Sequence, residues 1–236
     1  MSSKIKGARQ RARGEITSAI KDEARRHLAD EGASRLSLRA VARELGMVSS
    51  ALYRYFPSRD DLLTALITDA YDAVGAAAEA ALAEAESVGD SHLVRWRAVC
   101  RAVRAWGLAH PHEYALIYGS PVPGYAAPPT TTQSASRVGL ALLGILRDAH
   151  GSGALREPTR AAAAPDVVLK DAERLVGDLG VRLPAAVAVE AVAAWSQLFG
   201  LVSFELFGQF TNVVAARDEF FDHAVERLAD QVGLRR

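Results

Sequence analysis

Residues 36–56 read Leu36-Ser-Leu-Arg-Ala-Val-Ala-Arg-Glu-Leu-Gly-Met-Val-Ser-Ser-Ala-Leu-Tyr-Arg-Tyr-Phe56, and this stretch decides the fold. Ser37 is a natural N-cap for a short helix that carries Leu38, Val41, Ala42 and Leu45 on one face. Gly46 ends that helix where a tight turn requires positive φ. Ala42, four residues earlier, is small enough to let two helices cross closely. A further short helix is expected from Ser49 to Phe56, stopped by Pro57. Leu38, Val41, Leu45, Leu52 and Phe56 then supply a shared core, while Ser49, Ser50, Ala51, Tyr53 and Tyr55 face outward. Two tyrosines at i and i+2 cannot both be buried on one helix face, so one must lie toward solvent or a partner. A small, polar and aromatic outer face of this kind suits an element that enters a DNA major groove.

Working outward, apolar residues at Ile16, Ala19, Ile20, Ala24 and Leu28 recur at helical spacing, and Gly32 follows as a stop. Before them, Lys4 to Arg13 holds five basic residues and no acidic one, which reads as a mobile arm able to order on DNA. Ser58 caps the next helix, with Asp61 three residues on completing a capping pattern; this helix continues through Leu62, Leu66 and Ala70 to about Ser87. Gly89-Asp90-Ser91 is a turn. Helices then fit Ser91–His110 and Pro111–Tyr118, followed by a loop at Gly119–Thr132 with four prolines. Further helices fit Gln133–His150, Asp166–Leu179, Pro184–Gly208 and Asn212–Val232, and Gly151–Pro165 reads as an exposed connector. No strand pattern or internal repeat is visible. The expected architecture is all-α: a basic arm (1–12), a three-helix helix-turn-helix domain (13–58) and a helical body for ligand binding and dimerisation (59–236).

The Ser-Leu-Arg-x-Val-Ala opening, Gly46, the Leu52-Tyr53-x-Tyr55-Phe56 run and the Ser58-Arg59-x-Asp61-Leu62-Leu63 start of the next helix together resemble the TetR family of transcriptional regulators. The resemblance is close over about residues 13–66. It implies that Tyr53 and Tyr55 contact phosphates or base edges and that Arg59, where the family usually has Lys, grips phosphate at the helix start. It also implies that Arg39 sits where a base contact can occur, beside Ser37, with Ser49, Ser50 and Ala51 reading bases. One departure is the recognition-helix cap, which falls on Val48 rather than on Ser or Thr. The passage from Trp106 to Tyr125 resembles the WHG-type C-terminal domain of some TetR-like regulators, whose body encloses an apolar effector pocket.

Trp106, His110, Tyr114, Tyr118, Trp195 and Phe199 combine large apolar faces with a few polar tips and are the expected effector contacts. The last two helices carry wide apolar faces, and Ala188, Ala191, Val192, Leu198, Val202, Leu206, Val214, Phe221, Val225 and Leu228 are the expected dimer contacts. A two-fold dimer would let two recognition helices read a palindromic operator.

The 236 residues carry 28 basic and 28 acidic side chains, but unevenly. Residues 1–60 hold 13 basic against 7 acidic, leaving 15 against 21 for the remainder. A basic head on an acidic body confines phosphate attraction to one end. Cys100 is the only cysteine, so no intramolecular disulfide forms, and its apolar surroundings point to a buried structural thiol. The basic start is followed by no apolar signal-peptide core, and the longest apolar stretches, such as Gly139–Leu146, are too short to span a bilayer. A soluble, cytoplasmic protein is expected. No Gly-rich phosphate loop, nucleophile elbow or paired metal motif is present, so neither a cofactor nor an enzyme activity is expected. His110 and His112 with Glu113 offer too few ligands at poor spacing for zinc. The remaining rivals are a DNA binder that senses nothing and an enzyme using the pocket of the body.

Overall fold

The computed structural model describes residues 2–156 and 164–234, and among these every regular element is a helix. The α-helices are α1 Ser2–Glu31, α2 Leu38–Glu44, α3 Ser49–Leu52, α4 Arg59–Ser87, α5 His92–Ala109, α6 Pro111–Tyr118, α7 Thr132–Gly151, α8 Asp166–Asp178, α9 Ala185–Leu206 and α10 Arg217–Gln231, with short 3-10 turns at Ala33–Arg35 and Pro129–Thr131. The chain divides into two compact units. One is Met1–Ala70 with His110–Thr131; the other is Tyr71–Ala109 with Thr132–Arg236.

In the first unit the caps form as their sequence signals require. The Ser37 hydroxyl accepts the Ala40 N–H at 3.4 Å and the Ser58 hydroxyl accepts the Asp61 N–H at 3.1 Å. Gly46 adopts φ 64°, and Met47 N–H closes onto Ala42 carbonyl at 2.8 Å, so α2 ends in a left-handed turn that a side chain would strain. Ile20, Ala24, Val41, Ala42, Leu52, Leu62 and Leu63 are sealed beneath these helices. α6 joins this unit through Arg25. Its guanidinium donates to Glu113 at 3.0 Å, to Asp69 at 2.7 Å and to Asp22 at 2.7 Å, while Lys21 also grips Asp69 at 2.8 Å. Tyr125, in the loop after α6, shares a 3.0 Å hydroxyl bond with Thr64.

Three expectations are corrected. The basic arm is helical: α1 starts at Ser2, because Ala, Arg, Lys and Gln propagate a helix that the packed part has already nucleated. The last helix begins at Arg217 rather than Asn212, since Gly208 (φ 81°) and Asn212 (φ 63°) take left-handed turns that no α-helix continues. Gly139–Leu146 is not the longest apolar stretch; the 22-residue α9, which contains an 18-residue window of mean hydropathy 1.6, is long and apolar enough to cross a membrane by length and composition. Ala188, Ala194, Leu198 and Val202 of that helix are buried in the core of the second unit. Part of the expected 151–165 connector, residues 157–163, lies outside the described residues.

The second unit packs α5, α7, α9 and α10 around Trp96, Val99, Val103, Leu146 and Leu198. Cys100 is fully buried there, and burial pushes its thiol pKa up, which makes it inert. Gly75 of α4 is required by close approach, since a Cβ there would stand 2.7 Å from Arg137 Cβ; Arg137 in turn pairs with Asp72 at 3.0 Å and Glu79 at 2.6 Å. Three arginines on one side of α5 fasten α10: Arg97 to Glu226, Arg101 to Asp222 at 2.7 Å, and Arg104 to Asp218 at 2.6 Å. Hydrogen bonding from Arg101 holds the Asp222 carboxyl below its ordinary pKa. Arg104 also forks onto Glu205 of α9 at 2.7 and 2.8 Å and lies 5.0 Å over the Phe221 ring.

Glu205 is the most enclosed carboxylate of this ladder, its side chain 7% exposed, so removing Arg104 strands a buried charge. Arg104→Met should lower unfolding free energy by about 3 kcal/mol, and adding Glu205→Leu should restore most of it; urea unfolding at fixed protein concentration reads both.

Candidate nucleic-acid interface

α3 has only four residues, far too few to hold a helix in water unaided. It is held from within by Leu52 and Phe56, both buried, with α3 packed against α2. Its N-cap is Val48, 71% exposed and without a side-chain cap bond. The helix stops at Leu52, short of the expected Phe56. Residues 53–55 instead form a tight turn, with Arg54 N–H on Ala51 carbonyl at 3.2 Å and Tyr55 N–H on Leu52 carbonyl at 2.8 Å. Pro57 disfavours helical geometry at Phe56, and the tighter i→i+3 bonds absorb the change.

That turn separates the two tyrosines as their spacing required. Tyr53 is 42% exposed. Tyr55 is half-buried, with the Arg13 guanidinium 5.5 Å over its ring. Ser50 and Arg39 are exposed, and Ser49, Ala51 and Ser37 half-buried, the last committed to capping α2. Arg59 is placed differently from expectation. Its guanidinium turns into the head, donating to the carbonyls of Leu36 at 3.1 Å and Ala33 at 2.8 Å. Those bonds brace the turn that leads into α2. Arg54, exposed beside Tyr53, and Arg13, beside Tyr55, are cations at this edge that the motif did not single out; the signal for Arg13 was its place in the basic run.

The expected effector contacts are shared between the units. Trp106, Trp195 and Phe199 belong to the second unit, where Trp195 and Phe199 meet edge-on at 5.7 Å. His110, Tyr114 and Tyr118 belong to the first, with the Tyr114 and Tyr118 rings 5.0 Å apart. Tyr114 is fully buried and His110 exposed at the start of α6. Glu113, beside His112, is held by Arg25.

The expected dimer contacts require correction. Ala188, Ala191, Leu198, Val202, Phe221, Val225 and Leu228 are buried within the single chain, because the apolar faces of α9 and α10 that carry them pack inward. Val192 is exposed, and Leu206 and Val214 are half-buried. The open apolar surface lies on another side of the same two helices. There Gly200, Leu201, Phe204, Phe210, Phe220 and Ala224, with Leu228 of the expected dimer contacts and the polar Gln197, His223 and Arg227, line a groove of about 500 Å³, and Phe210 stacks edge-on against Phe204 at 5.8 Å and Phe220 at 5.5 Å.

Residues 20–66 match the family described as bacterial regulatory proteins, tetR family, and residues 96–228 match the tetracyclin repressor-like C-terminal domain. HTH-type transcriptional regulators Rv1816 from Mycobacterium tuberculosis and Mb1846 from Mycobacterium bovis are each 40% identical over 206 residues, 86% of this chain and of theirs. The chain belongs to the TetR family. The solved structure of the regulatory protein SCO4313 is similar over 94% of this chain and 98% of its own, with a TM-score of 0.73 and 32% identity. The TetR-family regulator PfmR from Thermus thermophilus shares the fold at a TM-score of 0.57 and 19% identity, over 92% of this chain and 99% of its own. The TetR-family assignment makes the protein a DNA-binding transcriptional regulator rather than an enzyme.

Within this TetR-family head, bracing and reading residues should separate experimentally. Arg59→Ala removes charged donors from carbonyls and should destabilise the protein by about 2 kcal/mol. Tyr53→Ala, on the exposed rim, should stay within about 0.5 kcal/mol of the parent; thermal unfolding of the two variants side by side provides the check.

Proposed function

We propose that the protein is a dimeric repressor that binds a palindromic operator through two copies of α3 and leaves it when a small apolar effector occupies the helical body. One observation carries the reading: within residues 49–56, Leu52 and Phe56 are sealed inside while Ser50 and Tyr53 stand open. A short element clamped from behind with a small polar front is what direct readout in a major groove needs. Ser49, Ser50, Ala51 and Arg39 serve as base readers. Tyr53, Tyr55 and Arg54 serve as phosphate contacts, and Arg59 acts indirectly, by holding the entry to α2. Effector occupancy works by favouring a body conformation in which the paired heads no longer match the operator, which requires unequal affinity for the two states. Trp106, Trp195 and Phe199 are the body residues assigned to that ligand. A cytoplasmic location follows from the DNA target.

The partner that completes the dimer is a second copy seated on the groove around Phe204, Phe210 and Phe220. A contiguous exposed aromatic patch is unusual on a monomer, and a two-fold partner would cover it with the same patch.

DNA binding is tested by fluorescence anisotropy with the duplex upstream of the gene. Affinity should fall about 10³-fold or more between 50 and 200 mM salt, and Tyr53→Ala should weaken binding about tenfold at fixed salt. Binding that is absent, or indifferent to salt, would sink the reading. Phe204→Glu combined with Phe220→Glu should give a monomer by light scattering, with helical circular dichroism unchanged. A dimer surviving both charges would move the interface elsewhere.

A further inference from the structure

The cap of α3 carries a side chain that serves neither the helix nor the core. Val48 holds extended backbone there, φ −69° and ψ 137°, and its carbonyl accepts the Ala51 N–H at 2.9 Å. Its side chain makes no cap bond and is 71% exposed. Valine is among the poorest residues at an N-cap, and an aliphatic group left in water gains nothing from burial. Among the described residues of the first unit, only Val48 and Tyr53 are large hydrophobic residues left exposed, and they occupy the two caps of α3.

The chemistry of the rest of this element gives the exposed valine a use. A side chain that identifies a base by paired hydrogen bonds must be long: Arg or Lys for guanine, Asn or Gln for adenine. For cytosine the acceptor is Asp or Glu. Residues Met47-Val-Ser-Ser-Ala-Leu-Tyr53 include none of these. The hydroxyls of Ser49 and Ser50 can donate or accept and so discriminate little. What remains is apolar contact, and the apolar feature that a base edge presents in the major groove is the C5 methyl of thymine. The N-terminal residues of a recognition helix are the ones that reach base edges. Val48 stands at that end.

We infer that Val48 is a specificity residue that packs on a thymine methyl in each half-site, so that α3 identifies a T·A pair there by apolar contact. The inference rests on the operator-binding reading above, in which Ser49, Ser50 and Ala51 meet bases and Val48 has no part. Packing the valine on the methyl removes both surfaces from water, which favours thymine over a base without that group. The poor cap is then explained, because a serine or threonine that capped α3 would turn its hydroxyl back to the helix and offer less apolar surface to the groove.

The experiment measures fluorescence anisotropy of the full chain on the upstream duplex made with thymine and on the same duplex made with uracil, which lacks only the C5 methyl. Loss of one buried methyl contact weakens binding about fourfold, so two half-sites together should show roughly a 16-fold loss. Val48→Ser returns a hydroxyl to the cap, so thermal stability should hold or rise and serves as the folding control. This variant should bind the thymine duplex about as the parent binds the uracil duplex, and should no longer distinguish the two. Val48→Ile, which keeps a branched apolar surface, should keep the parent's preference. If Val48→Ser retains the full preference for thymine, or the parent shows none, the inference fails and the operator reading stands. If the parent binds neither duplex, both fall.

Discussion

The head depends on the burial of two side chains behind a four-residue helix. With one turn of hydrogen bonds, α3 has no stability of its own; Leu52 and Phe56, inserted beneath it, supply what the backbone cannot. Everything nearby serves that insertion. Gly46 reverses the chain tightly enough for α2 and α3 to meet, Ala42 leaves room at the crossing, and Arg59 ties down the carbonyls ahead of α2. Because the clamp lies wholly on the inner side, Ser50 and Tyr53 are left with no structural duty and are free to meet a partner.

The charge distribution follows the same division. The basic excess of residues 1–60 is spent unequally: Lys21 and Arg25 are neutralised within the head, whereas Arg11, Arg13, Arg39 and Arg54 are exposed. In the body, Arg101 and Arg104 of α5 and Arg137 of α7 are paired. Net neutrality of the whole chain thus hides a head that still offers positive charge to phosphate and a remainder with 21 acidic against 15 basic residues.

Much of this was legible in the sequence because it depends on local geometry. A glycine at a left-handed turn, a serine before a helix and a proline after one each act within a few residues, and Ser37, Gly46 and Ser58 all behave as their neighbours require. What was not legible depends on which distant surface lies opposite. Periodicity marked α9 and α10 as apolar on wide faces but could not tell that Ala188, Leu198 and Phe221 would be buried by their own chain while Phe204 and Phe220 would stay exposed. The direction in which a long side chain turns is equally hidden, so Arg59 had the chemistry of a phosphate grip and was drawn to carbonyls instead. Nor does the lack of a repeating apolar stripe exclude a helix, as the basic start of α1 shows.

The two units are joined by the chain at three places, Ala70–Tyr71 in α4, Ala109–His110 ahead of α6, and Thr131–Thr132 ahead of α7. Arg25 is bonded next to two of these. Asp69 stands one residue before the first crossing, and Glu113 three residues after His110 at the second. Both carboxylates meet one rigid planar guanidinium whose donors point in fixed directions, and Lys21 shares the load on Asp69. A displacement of either segment at its crossing must therefore carry α1 with it or break charged bonds worth about 1.5–3 kcal/mol each. The fork on Arg25 thus ties the end of α4 that lies in the first unit, and α6, to α1.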